Sequence, residues 1–234
     1  MLKKLCALLV LLPLLASCSA STGPLPPGAE TWVVPNVGST FTYDVYATDS
    51  LGVPIPGLRD TSISTVVQSN FPIGGKTGVV VFQNKSTGTL DSNFITYEAN
   101  HNLTAYLLSD NTGQSVWNTI PVGTGGASGA VSEKSTVHGG VSTVTLDSTL
   151  ITMVGVETLT IKGQSISTKK VTLQSHAVSR DDGVITISIN ATDLNYYYAP
   201  SLGFFVKETR PYRFDALGNH ENGATQILID YNLK

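Results

Sequence analysis

Alternation with a period of two runs through most of this 234-residue chain, and it confines the fold more than any other feature. Phe41, Tyr43 and Val45 share one parity with Thr42 and Asp44 between them, and Ile63, Thr65 and Val67 repeat the pattern. Val144 and Leu146 alternate with Thr143 and Thr145 in the same way. Successive side chains of a strand point to opposite faces, so each segment reads as a strand with one face in a core. Val79-Val80-Val81-Phe82 is apolar throughout and predicts a strand covered on both sides. Turn signals punctuate the runs: Pro54 and Gly57 in the stretch 53–57, Asn100-His101-Asn102, and Lys162-Gly163-Gln164. Asp181-Asp182-Gly183 predicts a hairpin between Val171 and Leu173 on one side and Ile185, Ile187 and Ile189 on the other. The count comes to about eleven to thirteen strands with no amphipathic helix. The expected fold is all-β, a single large antiparallel curved sheet or incomplete β-barrel. The alternative is a β-sandwich, in two domains if the Gly-rich stretch 123–129 is a linker.

Composition removes several classes. Lys and Arg number 14 against 17 Asp and Glu, so no basic excess exists to grip a nucleic-acid backbone. Apolar residues make up 41%, too many for an intrinsically disordered chain.

The N-terminus departs from the β pattern. Lys3 and Lys4 precede an uncharged apolar run over 5–15, which would rise only about 16 Å as a helix against a hydrocarbon core of about 30 Å. The run predicts a signal peptide over 1–17 and not a membrane span. It ends in Leu15-Ala16-Ser17-Cys18, which resembles the lipobox of bacterial lipoproteins. That resemblance implies cleavage before Cys18, a diacylglyceryl group on its sulfur and acylation of the new N-terminus. Ser19 in the next position implies the outer membrane, facing the periplasm. An ordinary secretory signal cut near Ala20 is the plainer reading. Residues 18–30, rich in Pro and small side chains, would form the lipidated Cys and a flexible tether, and the antiparallel β domain would occupy 31–234. Loss of Lys3 and Lys4 would leave the mature chain more acidic than the −3 of the full sequence. With Cys6 in the leader and Cys18 lipidated, the folded part would hold no disulfide, thiolate metal site or Cys nucleophile.

Three short stretches carry a second resemblance. Pro35-Asn36-Val37-Gly38-Ser39-Thr40-Phe41-Thr42-Tyr43 resembles the Gly-x-x-aromatic-x-Tyr opening strand of uncharacterised envelope lipoproteins. Gly155-Val156-Glu157-Thr158 with Gly163 and Lys170-Val171 resembles their second landmark. Tyr197-Tyr198-Ala199-Pro200-Ser201-Leu202-Gly203 followed by Val206-Lys207 resembles their WYAPGVGLVK segment, with Tyr for Trp and an added Phe205. The group is similar to LolA/LolB-like proteins, which implies a curved sheet with a lipid-holding concavity. The landmarks lie on both sides of 123–129 and favour one domain. The sequence departs from LolA and LolB in having no helices to cover that concavity. Within the third stretch, Tyr196, Tyr197 and Tyr198 alternate across a strand, so at most two of them can line one surface, and core packing is the plainer use.

No catalytic pattern emerges. His101, His138, His176 and His220 share no metal-binding spacing. Gly126-Ala127-Ser128-Gly129 lacks the spacing of a nucleophile elbow. Asp44, Glu98, Glu133, Glu157 and Glu208 could supply a glycosidase pair only if the fold brought two together. Asp181-Asp182-Gly183 and the stretch 110–113 read as turns before they read as calcium loops. The expectation is a non-enzymatic, lipid-anchored envelope protein with no metal and no cofactor. Its curved sheet would bind an apolar or amphipathic ligand or an envelope protein partner. The alternative is a β-sandwich module for protein or glycan, with a hydrolase as the weakest reading.

Overall fold

The alternating segments are strands, and no helix occurs among the described residues, which in this computed structural model are 30–108, 112–190, 193–214 and 220–234. The leader, Cys18 and most of the tether lie outside them. The strands are β1 (Thr40–Thr48), β2 (Pro54–Ile73), β3 (Lys76–Ser86), β4 (Thr89–Tyr97) and β5 (Leu103–Leu108). They continue with β6 (Ser115–Ile120), β7 (Ala127–His138), β8 (Val141–Ile161), β9 (Gln164–Asp181) and β10 (Val184–Asn190). The last are β11 (Leu194–Ala199), β12 (Phe204–Arg210), β13 (Arg213–Phe214), β14 (His220–Glu221) and β15 (Gly223–Asn232).

Thirteen of them form one antiparallel sheet in the order β6-β5-β4-β3-β2-β1-β15-β12-β11-β9-β8-β7, with β10 beside β9; β13 and β14 pair separately. The sheet runs across the Gly-rich stretch, so the two-sandwich alternative is not formed. Gly123 is no linker residue: a Cβ there would fall 2.2 Å from Asn100 O. Asn102 Oδ1 also accepts the Gly123 and Thr124 amides at 3.0 Å.

The sheet curls until its edge strands β6 and β7 meet, a barrel with one seam not sealed by a backbone ladder. Side chains hold that seam. Ser128 Oγ donates to Thr119 O, and Thr112 Oγ1 pairs with Ser132 Oγ at 2.9 Å. Free edges template pairing with other chains, so closure, even by side chains, removes a liability.

The turns follow local chemistry. Lys162 and Gly163 (φ 53° and 75°) join β8 to β9, and Asp182 and Gly183 (47° and 87°) join β9 to β10. Two consecutive positive φ values match the right-handed twist of the strands they connect. The turn expected over 53–57 lies earlier: Asp49 Oδ1 accepts the Leu51 and Val53 amides at 2.9 Å, and Pro54 already opens β2. Val79 to Phe82 are buried on both faces as expected. Val80 and Phe82 join the main core. The β2–β3 hairpin, irregular in register after Val66, bends over the outer face, where Trp117 Nε1 donates to Gly74 O at 2.9 Å.

Candidate functional site: a cavity in the barrel mouth

The inward face changes character along the barrel. At one end Phe41, Phe82 and Phe204 pack ring to ring, with centroids 4.1 Å apart for Phe82–Phe204 and 4.9 Å for Phe41–Phe204. Tyr198 is fully buried beside them. Trp32 closes this end, stacked on Tyr198 at 5.9 Å and on His101 at 4.7 Å. The Tyr198-Ala199-Pro200 segment and Gly203 support that closure. Val33 N donates to Pro200 O at 2.9 Å. Gly203 takes φ 68°, where a Cβ would sit 2.3 Å from Val33 O, so only glycine lets the two backbones approach.

Toward the other end the same strand faces carry smaller or polar groups. Pairing aligns Met153, Val171, Tyr196, Glu208, Gln226, Val45 and Asp60 in one row across seven strands. Around that row, with Val171, Tyr196, Glu208 and Gln226 in its wall, lies a cavity of about 270 Å³ that is also lined by Ile95, Ala105, Ile120, Ile151, Leu173 and Phe205, with Tyr43 and Asn84 among its polar groups. Ligand sites are mostly apolar clefts of ~300–1,000 Å³ with a few convergent polar groups. This one is slightly smaller, yet exceeds the ~150 Å³ of an engineered cavity that takes up benzene. A shallower depression of about 550 Å³ continues along the same strands, where Arg59, Asp60, Arg210 and Asn222 line it.

Glu208 is the carboxylate of the cavity wall. Withdrawal from solvent raises its carboxyl above the ordinary range, and the nearby Arg210 charge offsets part of that rise. Burial, and next the Glu208 charge, push the hydroxyls of Tyr43 and Tyr196 upward too. Tyr43 Oη is fixed, donating to Phe205 O at 2.6 Å. The three successive tyrosines divide. Tyr196 lines the cavity, Tyr198 belongs to the packed end, and Tyr197 lies beneath Lys170 and Lys207, whose Nζ atoms stand 5.4 and 4.9 Å from its ring centre.

The remaining sequence candidates are scattered. Asp44 holds Arg59 at 2.5 Å, Glu98 holds Lys76 at 3.0 Å and Glu157 holds Lys170 at 3.1 Å. Glu133 lies on β7 near Ser135. His101 stacks on Trp32, His220 stacks on Tyr212 at 5.8 Å, and Ser128 is engaged at the seam. No group of three or more His, Cys, Asp or Glu converges as a metal site among the described residues. Asp110 and Asn111 of the stretch 110–113 lie outside them. Sequence reasoning missed Tyr43, Asn84 and Gln226 as lining groups. Phe205 and Glu208 both line the cavity because a register shift lies between them, so simple alternation along β12 gave no reliable signal for the lining.

No family model matches the chain, and no curated protein matches it in sequence. Three solved structures resemble it. A candidate lipoprotein from Parabacteroides distasonis is 12% identical, with 87% of this chain and all of that one covered, at a TM-score of 0.50. A candidate exported protein with a YmcC-like fold from Bacteroides fragilis is 10% identical, with 87% and 100% covered and a TM-score of 0.43. The hypothetical lipoprotein YmcC from Escherichia coli is 9% identical, with 85% and 90% covered and a TM-score of 0.36. At these identities the likeness concerns the fold alone, and this barrel shares its overall path with the Parabacteroides chain.

Proposed function

We propose that the chain is a lipid-anchored cell-envelope protein, attached through Cys18, that binds a small amphipathic ligand in its barrel mouth and performs no chemistry on it. The observation that carries the reading is the cavity: a mostly apolar wall that also carries Glu208, Gln226 and Asn84, in a barrel whose other end is filled by aromatic rings. The volume suits a ligand the size of one aromatic or short aliphatic group and is too small for a full acyl chain. The dispersal of Asp44, Glu98, Glu133 and Glu157 into separate sites away from Glu208 supports a binding role over hydrolysis. The Parabacteroides protein of similar fold is itself described as a candidate lipoprotein, which agrees with the Leu15-Ala16-Ser17-Cys18 lipobox.

Ala105 is 7% exposed and lines the cavity, so Ala105→Leu would occupy ligand space at little cost in folding. Calorimetric titration with 2-phenylethanol should show binding to the wild type and none to Ala105→Leu. Equal behaviour of the two proteins would overturn the cavity reading. For the anchor, Cys18→Ala should end labelling by fatty acid and release the protein from membranes; retained membrane association would overturn that part.

A further inference from the structure

Five charged residues line the two adjoining depressions: Lys207 and Glu208 in the cavity, and Arg59, Asp60 and Arg210 beyond it. Three are engaged. Lys207 Nζ lies over the Tyr197 ring at 4.9 Å, and Arg59 grips Asp44 through two bonds of 2.5 and 2.6 Å. Asp60 accepts from the Thr87 hydroxyl at 2.7 Å and from the Thr61 and Thr87 amides at 2.7 and 3.1 Å. Glu208 and Arg210 differ. Glu208 feels the Arg210 charge, yet the two form no ion pair within 4 Å and Glu208 accepts no hydrogen bond from another described residue. Arg210 Nε is buried and has no acceptor among the described residues.

These two charges share one face of β12, about 6.5–7 Å apart along the strand. They form no ion pair with each other, and they stand close enough on one strand to be bridged by a single small ligand. The buried Arg210 Nε, left unpaired, costs free energy that a complementary ligand recovers, and the half-buried Glu208 carboxylate offers such a ligand a second charge. A ligand with a lone cation would answer Glu208 and leave Arg210 unmatched, and a lone anion would do the reverse. A group carrying both charges on neighbouring atoms answers both, while the apolar cavity beside Glu208 takes one side arm.

We infer that the mouth is a binding site for a small zwitterion with an apolar arm, of the chemical class of a free apolar α-amino acid, its ammonium toward Glu208 and its carboxylate toward Arg210. The inference rests on the amphipathic-ligand reading above and deepens it. The cavity volume of about 270 Å³ favours a free compound over the headgroup of a two-chain lipid, whose tails it could not hold.

Four probes share one arm and differ only in charge: L-phenylalanine, 2-phenylethylamine, 3-phenylpropionate and 2-phenylethanol. Titration of the full chain by calorimetry at pH 7 should place L-phenylalanine about tenfold tighter than either singly charged probe, with 2-phenylethanol weakest, in keeping with ~1.5 kcal/mol for one charge-assisted hydrogen bond. In Glu208→Gln, L-phenylalanine should fall to the level of 3-phenylpropionate, and in Arg210→Gln to that of 2-phenylethylamine. Thermal melts of each variant establish that it folds. Binding of all four probes with equal affinity would overturn the zwitterion assignment and leave the amphipathic cavity standing. If none of the four binds, the cavity reading and this assignment fall together.

Discussion

The two ends of the barrel are built from the same strands and the same alternation, yet one is solid and the other hollow. On β12 the inner groups run from Phe204, Phe205 and Val206 to Glu208 and Arg210; on β1 they run Phe41, Tyr43, Val45, Ala47. Across β2 and β3 the pair Val66–Phe82 gives way to Ser64–Asn84, and β15 passes from Leu228 to Gln226 to Ala224. Antiparallel pairing continues along these strands, through register shifts at Thr42/Tyr43 and Tyr197/Tyr198. What changes is side-chain volume and polarity, and once the aromatic layer ends the remaining groups cannot fill the space between opposite walls. Packing in a barrel is therefore decided ring by ring, and a site can be opened at one end without weakening the other.

That contrast can be attacked from its strong side first. Phe204→Ala removes the ring between Phe41 and Phe82 and should cost roughly 3–5 kcal/mol, read as a lowered denaturation midpoint. A loss below about 1 kcal/mol would mean that the aromatic layer is not the principal support. Gly203→Ala should cost at least ~1–3 kcal/mol for its positive φ, with the Val33 clash adding to it. Because Val33 adjoins Trp32, the substitution should also shift the tryptophan emission, and an unshifted spectrum would refute the coupling. At the hollow end, Ala105→Leu should change stability by under about 1.5 kcal/mol, because it enters space already present.

The smallest effects should differ in sign with pH. Glu208 has its carboxyl raised, so ionising it penalises the fold. The wild type should lose stability as pH rises from the unfolded-state value through the raised folded-state value. Glu208→Gln should therefore be the more stable protein at pH 7, with the advantage closing below the ordinary carboxylate range. Tyr43 and Tyr196 stay neutral through that interval. Glu98 is the opposite case. The Lys76 ammonium, aided by the Thr96 and Thr104 hydroxyls, lowers its carboxyl. Its contribution is present above the ordinary carboxylate range and fades as pH falls through the lowered value. The pair is partly solvent-exposed, so Glu98→Gln should cost only ~0.5 kcal/mol at pH 7. Stability curves for both variants between pH 3 and 8 check the pair of signs, and parallel curves would break the comparison.

Much of this architecture could be read before any coordinates. Alternation named the class, and Lys162-Gly163 and Asp182-Gly183 marked two hairpins correctly because their φ requirements are local. The seam was illegible, since Ser128 and Thr119 are joined by curvature accumulated over the whole sheet. The stretch 123–129 looked like a linker because composition cannot distinguish a glycine that is free from one pressed against Asn100. Glu208 stood among five carboxylates with nothing to rank it. Its place in the cavity wall depends on the register shift of β12 and on residues from six other strands. The register shift between Tyr197 and Tyr198 further displaces the third tyrosine relative to its neighbours on β12.

The seam also has a mechanical meaning. A ladder-closed barrel is a hoop, and widening it anywhere breaks cooperative backbone bonds all round. This barrel is a clasped ring whose clasp is a few hydroxyls from Ser128, Thr112 and Ser132. Its compliance is thus concentrated along one line, and the wall can spread there while every strand keeps its ladder partners.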